Sequence, residues 1–254
     1  MIEKLIRKLF FPSVNFTSHK RMKFAKYIRT GDVKTIDVAC GGGSFAVVAA
    51  QKGNRVLGVD YDQSNIDLAR RYIGIFALDP HRIRFEQRDI KTLAAIGETF
   101  EQVICFEILE HIMDDDRIVG HISKITSPGA RLLVSVPNLH HKPMYKEDVS
   151  PVENGDHVRF GYSFEQLESL LGKHGFKVKQ RDSCAGLATQ WATSVEAYLA
   201  DKLFSPKPMP RWISMALFTM LSPVTFLDTA VGGEDLSIFV LAEKESASQK
   251  PIAG

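Results

Sequence analysis

The chain predicts an α/β fold, a mainly parallel β-sheet with helices on both faces. Three observations carry this. Short apolar runs rich in Val, Ile and Leu alternate along the chain with segments of helical period. A glycine turn, Gly41–Gly43, joins the first such run to a helix. The chain has 254 residues, enough for one α/β domain with a large core. Alternation of this kind requires crossover helices and therefore parallel neighbours.

Residues 33–39, VKTIDVA, read as a buried strand, and the glycine turn leads into the helix SFAVVAAQKG, closed by Gly53. RVLGVD, 55–60, is a second strand, followed by the helix DQSNIDLARRYI with Asp62 or Ser64 as cap. RIRFEQRD, 82–89, alternates as a third strand, and FEQVICFEIL, 100–109, is a fourth. DDDRIVGHISKIT is a helix whose acids suit its positive end. GARLLVSVPN, 129–138, is a fifth strand stopped by Pro137. SFEQLESLLGKHG, 163–175, is a helix with Ser163 as cap and Gly175 as stop. FKVKQRDS and EDLSIFVLAEK are the last two of seven strands.

Two segments break the alternation. Residues 139–160 form a long polar loop after the fifth strand, where open sheets carry function. Residues 185–232 form an insertion with two helices, LATQWATSVEAYLADKLF and PRWISMALFTMLSP. The second is apolar on nearly every face, so it is buried or meets a partner, membrane or apolar ligand. The tail SASQKPIAG is expected to be disordered.

Composition narrows the partners. Net charge is +2, which gives no global sign of nucleic-acid binding. Residues 1–30 are basic, with Lys4, Arg7, Lys8, Lys20, Arg21, Lys23, Lys26 and Arg29 against Glu3 alone. Ile2, Leu5, Ile6 and Leu9 share a helical face, a pattern that docks on the domain or rests on an anionic membrane. This stretch lacks the apolar core and small-residue cleavage site of a signal peptide, and no run reads as long and apolar enough to span a bilayer. Cys40, Cys105 and Cys184 are scattered, so neither zinc knuckle nor disulfide framework is expected, and a reducing cytoplasm is the simplest compartment. The acids at 114–116 read as capping residues, and His140 with His141 lacks a third ligand at metal spacing, so no metal is expected.

The glycine turn alone leaves two ligands open. Gly41-x-Gly43-x-x-Ala46 with Asp60 downstream satisfies the dinucleotide fingerprint. It serves equally a nucleoside bearing an amino acid, because in either case Asp60 binds ribose hydroxyls and the glycines admit close backbone approach. The wider pattern is DVACGGG after the first strand, GVDYD ending the second, QRDI ending the third, FEQVICFEILEH across the fourth and SPGARLLVSVPN through the fifth. Together these resemble the class I S-adenosylmethionine-dependent methyltransferases, in particular the small-molecule group with a type-11 methyltransferase domain. The resemblance covers residues 30–182, and LSIFVLAEK looks like that family's final antiparallel strand.

The resemblance implies a Rossmann-like seven-stranded sheet with an antiparallel last strand and a helical lid before it. It divides the chain into an N-terminal helical segment (1–30), a cofactor-binding core (31–183), an insertion over the acceptor site (184–232), the final core strand (233–245) and the tail (246–254). It implies S-adenosylmethionine as methyl donor and a small-molecule acceptor, a partly apolar biosynthetic intermediate methylated on O, N or C, with a lipid-like or membrane-associated acceptor as the alternative. Asp37 and the turn Ala39, Cys40, Gly41 and Gly43 would lie against the methionine moiety. Asp60 would take the ribose, Tyr61 would flank the adenine, Asp89 would accept from its amino group, and Ile90 would lie beside the ring. Phe106 and Glu107 would flank the cofactor near the acceptor. The family usually has glycine where this chain has Ala39.

Methyl transfer requires alignment and water exclusion, and a base where the acceptor is a hydroxyl or ammonium. His111 and His157 are the candidate bases. His140, Tyr145 and Arg159 from the polar loop, with Trp191 and Trp212 from the insertion, are candidates for the acceptor pocket. Peripheral membrane contact through residues 1–12 and a homodimer are compatible with the apolar surfaces. The competing readings are a nicotinamide oxidoreductase, for which no substrate domain or Tyr/Lys pair is visible, and a non-catalytic scaffold on the same fold.

Overall fold

The structure is a computed structural model and describes residues 2–141, 144–145 and 148–246. From residue 247 on, the expected disordered tail lies outside the described residues. Helices α1 (Ile2–Leu9) and α2 (Phe16–Arg21) precede the sheet. The chain then alternates through β1 (Lys34–Val38), α3 (Ser44–Gln51), β2 (Arg55–Asp60), α4 (Gln63–Phe76), β3 (Ile83–Gln87), β4 (Phe100–Phe106), α5 (Asp115–Ile125) and β5 (Thr126–Pro137). It closes with α6 (Phe164–Lys173), β6 (Phe176–Cys184), α7 (Leu187–Phe204), α8 (Arg211–Leu221), α9 (Asp228–Val231) and β7 (Ser237–Lys244).

Seven strands form one sheet in the order β3-β2-β1-β4-β5-β7-β6, and β7 alone runs antiparallel to its neighbours. Both faces are apolar, as a parallel sheet requires. Along β4, Val103 and Cys105 join the cluster under α5 and α6, while Ile104 and Phe106 join the one under α3 and α4. The order reverses between β1 and β4, which opens a crevice at their carboxyl ends.

Local chemistry sets the boundaries. Asp62 caps α4 by accepting from the Ser64 N–H at 2.8 Å, and Ser163 with Gln166 forms a reciprocal capping box on α6. Asp114 caps α5 through the Arg117 N–H at 3.1 Å. The fourth strand stops at Phe106, shorter than the sequence suggests, because Glu107 turns to φ +52° and Leu109–His111 winds into a 3-10 turn. The fifth begins at Thr126, continuing directly out of α5 through a register shift against β4.

The N-terminal segment is bound to the base of the sheet by a buried polar network. Asn54 donates to the carbonyls of Arg29 and Gly31, and its own oxygen accepts from Thr35 and Gln102. Gln102 in turn accepts from the Arg29 N–H at 2.9 Å.

The insertion corrects one expectation. Residues Arg211–Val231 form a helical run of 21 residues with mean hydropathy 1.4, long and apolar enough by composition to cross a membrane. A 3-10 stretch, Ser222–Leu227, containing Pro223 interrupts the run. Helix α8 buries none of its residues, so its all-round apolar character marks an outward surface rather than core. Its Phe218 nevertheless packs on Phe10 and Phe16, which joins it to the N-terminal helices.

Candidate active site at the carboxyl edge of the sheet

Two cavities open at the carboxyl ends of β1, β2, β3 and β4, and they share Ala39 and Glu107. The first, about 320 Å³, is lined by Asp37, Cys40, Gly41, Phe45, Tyr72, Phe106 and, from α2, Arg21. The second, about 550 Å³, is lined by Asp60, Tyr61, Asp89, Ile90, Ile108, His111 and Ile112. Every residue that the resemblance assigns to the cofactor therefore lies on or beside this double cavity, and Ala39 and Glu107 form its neck.

The glycine turn serves two purposes. Gly41, at φ +51°, faces open space, so ligand has room against its backbone. Gly43, at φ +79°, has none: a Cβ there would stand 2.8 Å from Ala69 Cβ and 2.9 Å from Phe85. The second position is fixed by helix–sheet packing, the first by the cavity. Ala39 adopts φ +54°, a left-handed conformation that glycine reaches without strain.

Three carboxylates anchor the rim. Asp37 is buried, and its Oδ2 accepts from the Ala46 N–H at 2.9 Å. Burial, with the charge of Asp60 adding to it, pushes the Asp37 carboxyl up to about 7. Asp60 accepts from Gly41 N–H at 2.8 Å, Asp62 N–H at 3.0 Å and Asn65 Nδ2 at 3.1 Å. Asp89 accepts from the Lys91 N–H at 2.8 Å at the start of a 3-10 turn. Phe106 meets Phe45 edge-on at 4.5 Å and gives the first cavity an aromatic wall.

Arg21 is the residue that sequence motifs miss. Its Nη2 donates to Thr17 Oγ1 at 3.0 Å, its Nη1 stands 3.8 Å from Glu107 Oε2, and its buried Nε has no hydrogen-bond partner among the described residues. It enters from a helix well before β1, at no motif spacing. Glu107 is held from the other side, accepting from Ser135 Oγ at 2.9 Å.

The expected acceptor residues separate into groups. His111 follows β4, and its ring meets that of His157 edge-on at 4.7 Å, so the two candidate bases share a site. Beside them lies a cleft lined by His111, Asp148, Ser150, Asp156 and His157. Arg159 is committed to structure: it donates to the Ile112 and Met113 carbonyls at 2.6 and 3.1 Å and to Asp115. Tyr145 donates to Asp201 of α7 at 2.6 Å. His140 is exposed, Trp191 is 46% exposed and Trp212 is 70% exposed. Neither tryptophan lines the cavities described above.

Glu110 is the other residue whose weight only the fold reveals. It is buried in the 3-10 turn, and neither carboxylate oxygen has a hydrogen-bond partner among the described residues. Burial pushes its carboxyl well above the usual range, and the neighbouring charge of Glu107 adds to that.

A family model described as a methyltransferase domain matches residues 5–181, most of the chain. The chain belongs to the methyltransferase-domain family. Among curated relatives, the ubiquinone biosynthesis O-methyltransferase of Coxiella burnetii is 33% identical over 107 residues, 42% of this chain and 44% of that one. The protein of the same name from Leptothrix cholodnii is 33% identical over 113 residues, 43% of this chain and 46% of that one. The match thus spans less than half the length of these relatives.

Solved structures extend the likeness of fold over nearly the whole chain. An S-adenosylmethionine-dependent methyltransferase from Mesorhizobium loti has TM-score 0.59 at 16% identity, covering 91% of this chain and 100% of that one. Magnesium protoporphyrin IX methyltransferase from Synechocystis, with S-adenosylhomocysteine bound, has TM-score 0.57 at 14% identity, covering 96% and 94%. The cyclase SpnF has TM-score 0.61 at 18% identity, covering 88% and 79%. At these identities the likeness is one of fold.

Proposed function

We propose that the chain is an S-adenosylmethionine-dependent methyltransferase acting on a partly apolar small molecule. The observation that carries this is the necked double cavity, with Asp37 on one side and Asp60 with Asp89 on the other. In this reading the methionine end occupies the smaller cavity, where Arg21 faces its carboxylate and Asp37 its ammonium. Asp60 holds the ribose hydroxyls and Asp89 the adenine amino group. The sulfonium lies at the neck between Ala39 and Glu107. The donor supplies an electrophilic methyl group, and the protein's task is to align it with the acceptor and keep water away.

The acceptor enters over His111 and His157. The O-methyltransferase names of the curated relatives support an oxygen nucleophile. Calorimetric titration with S-adenosylmethionine tests the reading, and failure to bind would sink it. A nicotinamide dinucleotide that bound more tightly would favour the oxidoreductase instead.

A second element of the proposal concerns lipid. Leu9, Trp212, Met220 and Phe226 are 70 to 80% exposed, and Phe10, just past α1, meets Phe218 of α8. Basic residues flank them, including Arg7, Lys8 and Arg211. We infer that this face rests on an anionic membrane surface. Flotation with phosphatidylglycerol vesicles is expected to carry the protein, and Trp212→Glu with Phe226→Glu to release it. A dimer that the same substitutions dissociate, without vesicle binding, would replace the membrane by a second copy.

A further inference from the structure

The insertion before the final strand reaches back to the N-terminal segment and grips it at two points. Phe218 of α8 is half-buried and gathers three rings around it. Those of His19, Phe16 and Phe10 lie 4.6, 5.1 and 6.2 Å away between ring centres. A few residues further on, the chain holds α2 again. Lys20 Nζ donates to the Thr225 carbonyl at 2.6 Å and stands 3.1 Å from Asp228 Oδ2. Asp228 is itself tied to α7, accepting from the Thr189 N–H at 2.8 Å and from Thr189 Oγ1 at 2.6 Å.

The helix so gripped also walls the smaller cavity. Ser18 and Arg21 line it, with Pro12 and Ser13 from the segment just before. Phe16, His19 and Lys20 are spaced i, i+3, i+4 and share one face of α2, the face that the insertion holds. Ser18 and Arg21, three apart, share the adjoining face. His19 links the two directly. Its Nε2 bonds the Ser13 carbonyl at 2.5 Å, and since a carbonyl only accepts, that nitrogen carries the hydrogen. The ring that stacks on Phe218 therefore also places a residue of the cavity wall. Helix α2 has only six residues, too few to hold its own position without tertiary contacts.

We propose that Phe218 and the Lys20–Asp228 pair are positioning residues for the donor's amino-acid end, acting through α2 to set where Arg21 and Ser13 stand in the smaller cavity.

This inference rests on the methyltransferase reading. The guanidinium of Arg21 is steered by few contacts of its own: the Thr17 hydroxyl, and Glu107 at 3.8 Å. Its placement thus follows that of α2. Neither grip contributes much to the stability of the domain. The Lys20–Asp228 pair is partly exposed, and Phe218 belongs to neither apolar cluster of the sheet. Removing either loosens α2 while the sheet keeps its core. The larger cavity is walled by the ends of β1 to β4 and the polar loop, with no residue of α2. A disturbance of α2 is therefore felt at the amino-acid end of the donor and not at its adenosine. Donor and product share that end, so the same grip governs binding of the one and release of the other.

The test compares two ligands on the full chain by calorimetry. S-Adenosylhomocysteine carries the amino-acid end, whereas 5′-methylthioadenosine keeps the adenosine and the thioether without it. In Phe218→Ala and Lys20→Met, affinity for S-adenosylhomocysteine is expected to fall between about threefold and about tenfold, the partial loss of a charge-assisted contact. Affinity for 5′-methylthioadenosine is expected to stay at the wild-type value. Phe218→Leu, which keeps apolar volume against α2, is expected to recover most of the loss. Unchanged affinity for S-adenosylhomocysteine, or an equal loss for both ligands, overturns the positioning role. Hydrogen exchange at the amides of residues 16–22 in the ligand-free chain reads the grip itself. It is expected to quicken in both variants, and unaltered exchange overturns the grip. Wild type binding neither ligand would instead remove the methyltransferase reading, and the positioning role with it, while faster exchange in the variants would leave the grip standing.

Discussion

The Gly41 N–H donates to Asp60 Oδ2 at 2.8 Å, so the carboxylate proposed to hold the ribose also ties down the glycine turn. One side chain at the end of β2 thereby fixes the loop after β1. Its Oδ1 simultaneously holds the Asp62 N–H and Asn65.

Asp60→Ala is therefore expected to do two things at once. Cofactor affinity should fall at least about tenfold, as for a charge-assisted hydrogen bond, and stability should fall by about 1 to 3 kcal/mol because the turn loses its acceptor. Asp60→Asn keeps an acceptor for Gly41, so it should recover most of the stability and less of the affinity. Calorimetry and thermal melts on both variants separate the two roles, and equal affinity for wild type and Asp60→Ala would refute the ribose assignment.

Asp37 sets a pH dependence. Its carboxyl is raised to about 7 in the free protein, so below that pH it holds a proton. A cationic ammonium placed against it favours the ionised form, and binding must release that proton. Affinity should therefore fall as pH drops below about 7, approaching about tenfold per pH unit, and level off above it. Asp37→Asn should flatten the profile. Titrations in two buffers of different ionisation enthalpy count the proton directly, and a flat wild-type profile between pH 5 and 7 would discard the assignment.

Ala39 adopts φ +54°, a conformation that glycine reaches without strain. Ala39→Gly relieves left-handed strain of about 1 to 2 kcal/mol but returns about 0.4 to 1 kcal/mol of freedom to the unfolded chain. The expected outcome is a gain of between zero and about 1.6 kcal/mol in chemical denaturation. A loss above that size would show that the methyl group packs usefully at the neck.

Asp182 fastens the N-terminal segment to β6. Partial burial raises its carboxyl, but hydrogen bonds from Lys23, Lys26 and Tyr27 outweigh that and hold it well below the usual range. A carboxyl lowered by folding stabilises above its unfolded value near 4 and stops doing so as pH falls through the folded value. Asp182→Asn should cost about 1 kcal/mol at pH 7 after allowance for solvent screening, with the difference from wild type vanishing in strong acid. Denaturation at pH 7 measures the cost, and a series of melts carried downward from pH 5 follows its decline.

Sequence reading named the residues that line the double cavity more fully than those of the cleft beside it, for a physical reason. Asp37, Asp60 and Asp89 sit at or just past strand ends, where the period-two pattern and the glycine turn mark them. Arg21 arrives from a separate helix, and no periodicity links it to β1. Glu110 and His157 are remote in sequence and meet only because the polar loop folds back onto the turn after β4. Helix α8 left two outcomes open in the sequence, burial or an outward contact surface. Apolar residues on all sides usually mean burial, yet here they face outward, since α8 packs through Phe218 while Trp212 and Met220 remain open.

The reversal of strand order between β1 and β4 has an evolutionary corollary. The two strands are neighbours, yet the segments leaving them diverge to opposite faces of the sheet, so the crevice exists whatever side chains the later loops carry. Donor recognition is written into strand ends that also build the core and can drift little. In the proposed reading, acceptor recognition falls to loop 139–160 and the helices after Cys184, whose described residues contribute none of the largest fully buried side chains. A lineage can exchange one half of this reaction and inherit the other unchanged.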